Sequence, residues 1–327
     1  MFIKVEGKKL KEAFLSFEKF YQSSVTGKVI KIQIKSHELV LSGLRSDYIE
    51  MTLDVREADI DDYECLIDYI NLSYILSTDE VIIKFMSTSL SISSDFGNMV
   101  IQYSYSDEIV KPQLISKDNV IALNQYDMEK LKKLTTIEVL ARALKKTFPV
   151  SSYGKTVVIN TAMVAIQADV SLPIGVYTIE QIKRVVAHGL YSVTEGNRIE
   201  FSNSNMIMIS TTSKLTEENL FDKMLPSFEY LTSIAYDFKT IQSMSAVMKT
   251  EMATVDICEN AIKVSSSTDK FSVNYIPENP GVVLYRFNYS YQILSIILNI
   301  LGGECKVWKK GSVLCLMNQG INILMSV

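Results

Sequence analysis

Apolar and polar positions alternate with a period of two over many short runs of this chain, and with helical period over fewer, longer ones. Phe2–Val5, Val29–Ile34, Leu39–Ser42, Glu80–Phe85, Thr156–Ile159, Val164–Ala168, Ala253–Cys258 and Ile262–Ser265 alternate as half-buried strands do. Helical spacing runs over Lys8–Tyr21, Asp127–Lys146 and Asp237–Lys249. It recurs in three amphipathic stretches that open on Asp68, Thr178 and Asn288. Each of these is a good N-cap residue, because its side-chain oxygen accepts an orphan amide hydrogen. The three are 110 residues apart, and a second pair of landmarks, Tyr126-Asp127 and Tyr236-Asp237, keeps the same interval. Each third therefore reads as a strand, a helix, a hairpin, a second helix and further antiparallel strands. The interval to the next copy is longer in the first third, which places an insertion before residue 126.

This pattern predicts an α+β chain of three repeated domains, each with two helices packed on curved antiparallel sheets. The domains are set at 1–112, 113–222 and 223–327, with joints near 106–118 and 216–227 where Pro and charge gather. No Gly-rich crossover fits a parallel dinucleotide fold. Repeated domains with strand edges can pair edge to edge, and closure into a ring removes the exposed edges. A two-fold dimer of such a chain has six quasi-equivalent domains.

Composition narrows the chemistry. The 327 residues carry a net charge of −4, so any contact with nucleic acid has to come from a local basic patch. Only His37 and His188 are present, which leaves serine-triad, haem and His-rich zinc chemistry without residues. Cys65, Cys258, Cys305 and Cys315 are scattered and read as reduced, buried thiols. No metal site and no cofactor are expected, and the chain is expected not to be an enzyme. Gly154-Lys155-Thr156 has the tail of a phosphate-binding loop without its upstream glycine. Asp59, Asp61, Asp62 and Glu64 read as a solvated acidic loop. The opening segment has no signal-peptide core, and the longest apolar run, near Ile293–Leu301, is too short to span a bilayer. A cytoplasmic location with no membrane contact is expected.

Positive charge gathers on the first helices. Lys8, Lys9, Lys11 and Lys19 outnumber Glu12 and Glu18. Lys130, Lys132, Lys133, Arg142, Lys145 and Lys146 outnumber Asp127, Glu129 and Glu138, and Lys183 and Arg184 follow in the second helix of the middle domain. The last third departs from this, since its helix over 288–301 has no charge at all.

Several stretches carry a family likeness. They are Leu284–Leu301 with its Phe287-Asn288 and Tyr291, the hairpin Ala253–Val264, the ending Ile321–Val327, and the first-domain hairpin Gln33–Gly43. With the threefold repeat, they make the chain similar to the bacterial DNA sliding clamp, the β subunit of the replicative polymerase, in a diverged and phage-like form. The resemblance implies a homodimeric ring around double-stranded DNA that serves as a processivity factor. Its helices line the ring, and positive charge holds phosphates without reading bases. DNA polymerase and clamp loader dock short peptide motifs in an apolar pocket between the second and third domains. Lys8, Lys11, Lys28, Lys132, Lys133, Lys145, Lys146, Lys183 and Arg184 are the DNA-binding candidates; Lys28 and the Lys145–Lys146 pair are placed by their match to loops after the first helices. Met163, Val164, Phe221, Ile323 and Met325 are carried over to the partner-peptide pocket. The acidic run at Asp61–Glu64 and the uncharged last helix support an alternative, a monomeric or non-encircling clamp-fold adaptor for viral replication or transcription.

Overall fold

In a computed structural model of the chain, the described residues are all but 22–27, 70–78, 105–107, 114–119, 140–147, 162, 197, 245–251 and 268–271. In chain order the elements are β1 (Phe2–Glu6), α1 (Gly7–Tyr21), β2 (Val29–Lys35), β3 (Glu38–Leu44), β4 (Tyr48–Ala58), β5 (Asp62–Asp68), β6 (Glu80–Phe85), β7 (Ser89–Ser94), β8 (Gly97–Gln102), β9 (Val120–Ala122), α2 (Gln125–Thr135), β10 (Val150–Ser152), β11 (Val157–Asn160), β12 (Val164–Ala168), β13 (Gly175–Tyr177), α3 (Ile179–His188), β14 (Ser192–Glu195), β15 (Ile199–Ser202) and β16 (Met206–Ser210). There follow α4 (Leu220–Met224), a 3-10 turn at Leu225–Ser227, β17 (Glu229–Ala235), α5 (Phe238–Met244), β18 (Met252–Cys258), β19 (Ile262–Ser267), β20 (Ser272–Tyr275), β21 (Val283–Ser290), α6 (Tyr291–Leu301), β22 (Glu304–Lys310), β23 (Val313–Asn318) and β24 (Ile321–Ser326). Helices and antiparallel sheets are mixed throughout, as the hydrophobic periods predict.

The chain parts into two compact units. The first unit is Met1–Ala122 with Leu190–Thr211. Its strands form one sheet along the path β8-β7-β6-β1-β4-β16-β15-β14-β9, with β3, β2 and β5 continuing from β4. The second unit is Leu123–Gly189 with Thr212–Val327. It holds a sheet in the order β13-β10-β11-β12-β24-β23-β22-β17 and a smaller one in the order β20-β19-β18-β21. The middle third of the sequence thus gives strands to both units, so the units are not the sequence thirds.

Local signals explain where most helices start and stop. Asn124 caps α2: its Oδ1 accepts from the Asp127 amide at 3.0 Å, and Asp127 Oδ2 accepts from the Asn124 amide at 3.0 Å. Thr178 and Gln181 make the same reciprocal pair at α3, and Gly189 ends that helix in the left-handed region at φ 58°. Two expected caps are corrected. Asp68 lies at the end of β5, and Asn288 lies in β21 with its side chain accepting from Thr254 Oγ1 at 3.0 Å. The helix expected from Asn288 starts after Ser290, because pairing between β18 and β21 holds the chain extended as far as that residue. The helix expected from Asp68 lies outside the described residues. Asp127 and Asp237 are also not equivalent: Asp127 sits inside the first turn of α2, whereas Asp237 precedes α5 and accepts from the Lys239 amide at 3.0 Å.

Candidate docking cleft and nucleic-acid interface

In the second unit β12 and β24 pair antiparallel, with Val164 opposite Met325, Ala165 opposite Leu324 and Ile166 opposite Ile323. Neighbouring side chains on a strand point to opposite faces. Val164, Ile323 and Met325 therefore share one face, which α2 packs against, and they are 2%, 0% and 1% exposed. Ala165 and Leu324 point to the other, open face. There Cys315 sits opposite both Leu324 and Trp308, and Val158 on β11, opposite Gln167, joins the same cluster.

The segment between the middle and last thirds crosses this open face. Phe221 of α4 is fully buried in a cluster with Val158, Ala165, Cys315, Leu324 and Phe228. Asn219 caps this short helix, its Oδ1 accepting from the Phe221 amide at 3.0 Å. Lys310 Nζ donates to Ser227 Oγ at 2.6 Å and ties down the far end. Around the buried center, Tyr153, Met224, Val313, Met317 and Trp308 remain half-buried, so apolar surface there stays partly open to solvent, and this is the candidate docking cleft. Trp308 stands edge-on to Tyr230, with ring centroids 5.3 Å apart, and its indole N–H is buried with no hydrogen-bond partner among the described residues. Burial pushes the Cys315 thiol up to about 12, so it is neutral and unreactive at physiological pH.

The pocket assignment is corrected accordingly. Val164, Ile323 and Met325, carried over by resemblance, lie in the helix-side core, one residue out of step with the open face. Phe221 is the buried center of the open-face cluster, and Met163 is 41% exposed just before β12. The open-face cluster also gathers Leu324, Ala165, Cys315, Met224, Val313, Met317 and Trp308, which the sequence reading did not single out. The isolated apolar alternation of the last strand did not say which of its two faces meets the helices.

The basic candidates fall in both units. In the first, Lys8 is exposed and Lys11 half-buried on α1. Lys28 is half-buried before β2, its carbonyl accepting from the Tyr69 amide at 2.6 Å. In the second, Lys132 and Lys133 occupy the last turn of α2, where a cation complements the negative end of the helix dipole. α3 packs beside α2 and carries Lys183 and Arg184. Lys183 Nζ lies 2.7 Å from Glu138 Oε2 and 3.7 Å from Glu180 Oε1, so much of its charge is balanced within the protein. Lys145 and Lys146 lie outside the described residues. On α6 the positions turned away from the core include Gln292, Ser295 and Asn299, all polar and uncharged.

The weaker motifs resolve as structure. Gly154-Lys155-Thr156 forms the tight turn between β10 and β11, with the Tyr153 amide donating to the Thr156 carbonyl at 2.9 Å. Asp59 accepts from the Phe2 amide, and no group of three metal-ligating side chains occurs among the described residues. No described helix is long and apolar enough to cross a membrane.

No family model and no curated protein matches the sequence. Solved structures do match, over the whole chain. The Helicobacter pylori beta clamp bound to a DNA ligase peptide superposes with a TM-score of 0.80 at 14% identity, covering 100% of this chain and 99% of that one. The Bacillus subtilis DNA polymerase sliding clamp gives 0.77 at 14%, covering 100% and 98%. The Thermotoga maritima DNA polymerase III beta subunit gives 0.75 at 12%, covering 99% and 98%. This chain has the β-clamp fold. Within that fold the open-face cluster lies where β12 pairs with β24, and Phe221 and Phe228 of the segment between the middle and last thirds pack into it.

Proposed function

We propose that the protein is a sliding clamp: a non-enzymatic processivity factor that closes into a ring around duplex DNA and tethers a DNA polymerase. The observation that carries this reading is a strand pairing used twice inside the chain. At the first joint β4, the fourth strand of the first repeat, pairs with β16, the eighth strand of the second. At the second joint β12, the fourth strand of the second repeat, pairs with β24, the eighth of the third. Two strands in these roles are left at sheet edges: β8, the eighth of the first repeat, and β20, the fourth of the third. An unpaired strand edge is a template for another chain. Pairing β20 of one copy with β8 of another repeats the internal joint and closes a head-to-tail homodimer of six repeats. The edge of β8 exposes Val100, and Phe96 beside it is 66% exposed, as an unfilled joint requires.

In this reading Lys8, Lys11, Lys28, Lys132 and Lys133, together with Lys145, Lys146, Lys183 and Arg184, hold phosphates without base contacts, so the ring slides. The open-face cleft takes the apolar anchor of short peptides from the polymerase and the clamp loader, as the H. pylori clamp takes a DNA ligase peptide. The three repeats divide at the predicted joints. The protein works in the cytoplasm, and its divergence suits a phage.

A second reading, a clamp-fold adaptor that does not encircle DNA, is favoured by the Lys183–Glu138 pair and the uncharged exposed face of α6. Sedimentation across a dilution series separates the two. A stable species of twice the 36.9 kDa chain mass supports the ring. A monomer at every concentration selects the adaptor.

A further inference from the structure

The first joint repeats the construction of the second. Tyr48 on β4 lies opposite Ile209 on β16, and these two form an apolar cluster with Val29 and Ile109, flanked by Leu66 and Ile207. Here too the connector between repeats crosses the sheet. Glu108 faces Lys31 at 3.9 Å, Ile109 is buried in the cluster, and Lys111 Nζ pairs with Glu50 Oε1 at 2.8 Å. Beside this pinned connector the structure leaves a cavity of about 320 Å³, lined among others by Leu44, Arg45, Tyr48, Val110, Arg198 and Ile209.

Its chemistry differs from that of the cleft at the second joint. Val110 is 60% and Leu44 40% exposed, so apolar surface stands open at its mouth. Two guanidinium groups line it, and none of its lining residues is acidic. Arg45 is exposed and donates to the Phe20 carbonyl at 3.3 Å. Arg198 has no ion-pair partner among the described residues. The Tyr48 hydroxyl is already engaged with Glu50 Oε2 at 2.5 Å, so the ring contributes apolar surface and not a free donor.

We propose that this pocket at the first joint is a second peptide-docking site, selective for a segment that places carboxylates beside an aliphatic anchor. The anchor covers Leu44 and Val110 and excludes water, and the carboxylates meet Arg45 and Arg198 in the planar two-donor geometry that arginine offers. The site is independent of ring closure, and it differs from the second-joint cleft in demanding negative charge. A clamp with both sites holds two partners on one chain.

The test is fluorescence anisotropy with a fluorescein-labelled decapeptide in which two glutamates precede Ile-Leu, against a control with two lysines in their place. The proposal expects saturable, salt-sensitive binding of the glutamate peptide only. Arg198→Glu weakens it by at least about tenfold, while Arg198→Lys, which keeps the charge and loses the planar two-donor fork, weakens it by less than Arg198→Glu does. Met224→Asp, at the rim of the second-joint cleft, leaves it unchanged. The proposal is overturned by no saturable binding at millimolar peptide, by equal binding of the lysine control, or by an unchanged affinity in Arg198→Glu. Loss of binding in Met224→Asp alone also overturns it, by placing the peptide in the other cleft. So does a pocket that takes a twelve-nucleotide single strand, with loss in Arg198→Glu, in place of the peptide.

Discussion

On β24 the side chains of Ile323 and Met325 enter the helix-side core, while Leu324 between them enters the cluster under α4. This parity separates two kinds of mutant. Ile323→Ala removes a fully buried side chain and costs about 2–5 kcal/mol of stability in a denaturant titration, with the intrinsic affinity of the folded cleft for a partner peptide retained. Met224→Asp places a charge on the half-buried rim and abolishes peptide binding with little change in the unfolding midpoint, read by calorimetry beside a peptide titration. The alternation of apolar residues in the last strand was legible in the sequence; the face was not, since both sides of β24 are covered, one by helices and one by the connector. Phe221 stood out as an apolar residue of the connector, but its burial in that cluster required the register of β12 with β24. Charge pairs were equally hidden. Asp256 and Arg286, cross-strand neighbours on β18 and β21, join through two hydrogen bonds of 2.6 and 2.9 Å. The Arg286 guanidinium holds the Asp256 carboxyl below the ordinary carboxylate value of 3.8. A lowered folded-state pKa stabilises above the unfolded value and is lost as pH falls through the folded one. Asp256→Asn therefore lowers the melting temperature at pH 7 and flattens its decline below pH 4, a difference that vanishes at the acid end of a melting series.

At the scale of elements, the sequence was clearest where one local interaction decides the structure. The Thr178–Gln181 pair starts α3 and Gly189 ends it, and both are short-range events. Asn288 failed as a cap because a distant strand, β18, keeps the chain extended to Ser290. The lysines of α2 were likewise visible, but the Glu138 carboxylate that meets Lys183 across the helix pair was not. The proposed phosphate contacts on these helices are consequently unequal. Reversing Lys132 and Lys133 to Glu weakens DNA retention several-fold and reduces its salt dependence, whereas Lys183→Glu has a smaller effect. Filter binding over a salt series checks both. At the sheet edges, Val100→Asp on β8 puts a charge where the proposed ring pairs another strand. The expected result is a monomer in sedimentation, with the far-UV dichroism of the folded chain.

For the whole molecule, the interval of about 110 residues was read as three repeats, while the compact units follow the strand pairings and both take strands from the middle third of the sequence. Pairing between repeats is long-range and leaves no periodic mark in sequence, which is why the joints were read as linkers and not as continuous sheets. The same pairing is the basis of the proposed ring, since β8 and β20, the counterparts of the strands that pair at the two internal joints, lie at sheet edges. With a net charge of −4, the protein is not built to hold duplex DNA by charge alone. Retention should therefore depend on topology, and it is best measured on nicked circular DNA after assembly with the cognate loader, by gel filtration at 150 mM salt before and after a single restriction cut. Protein that co-elutes with the circle and is released when the DNA is made linear is the result an encircling clamp predicts. Protein that is never retained on the circle, or that stays bound equally to circle and linear DNA, contradicts it.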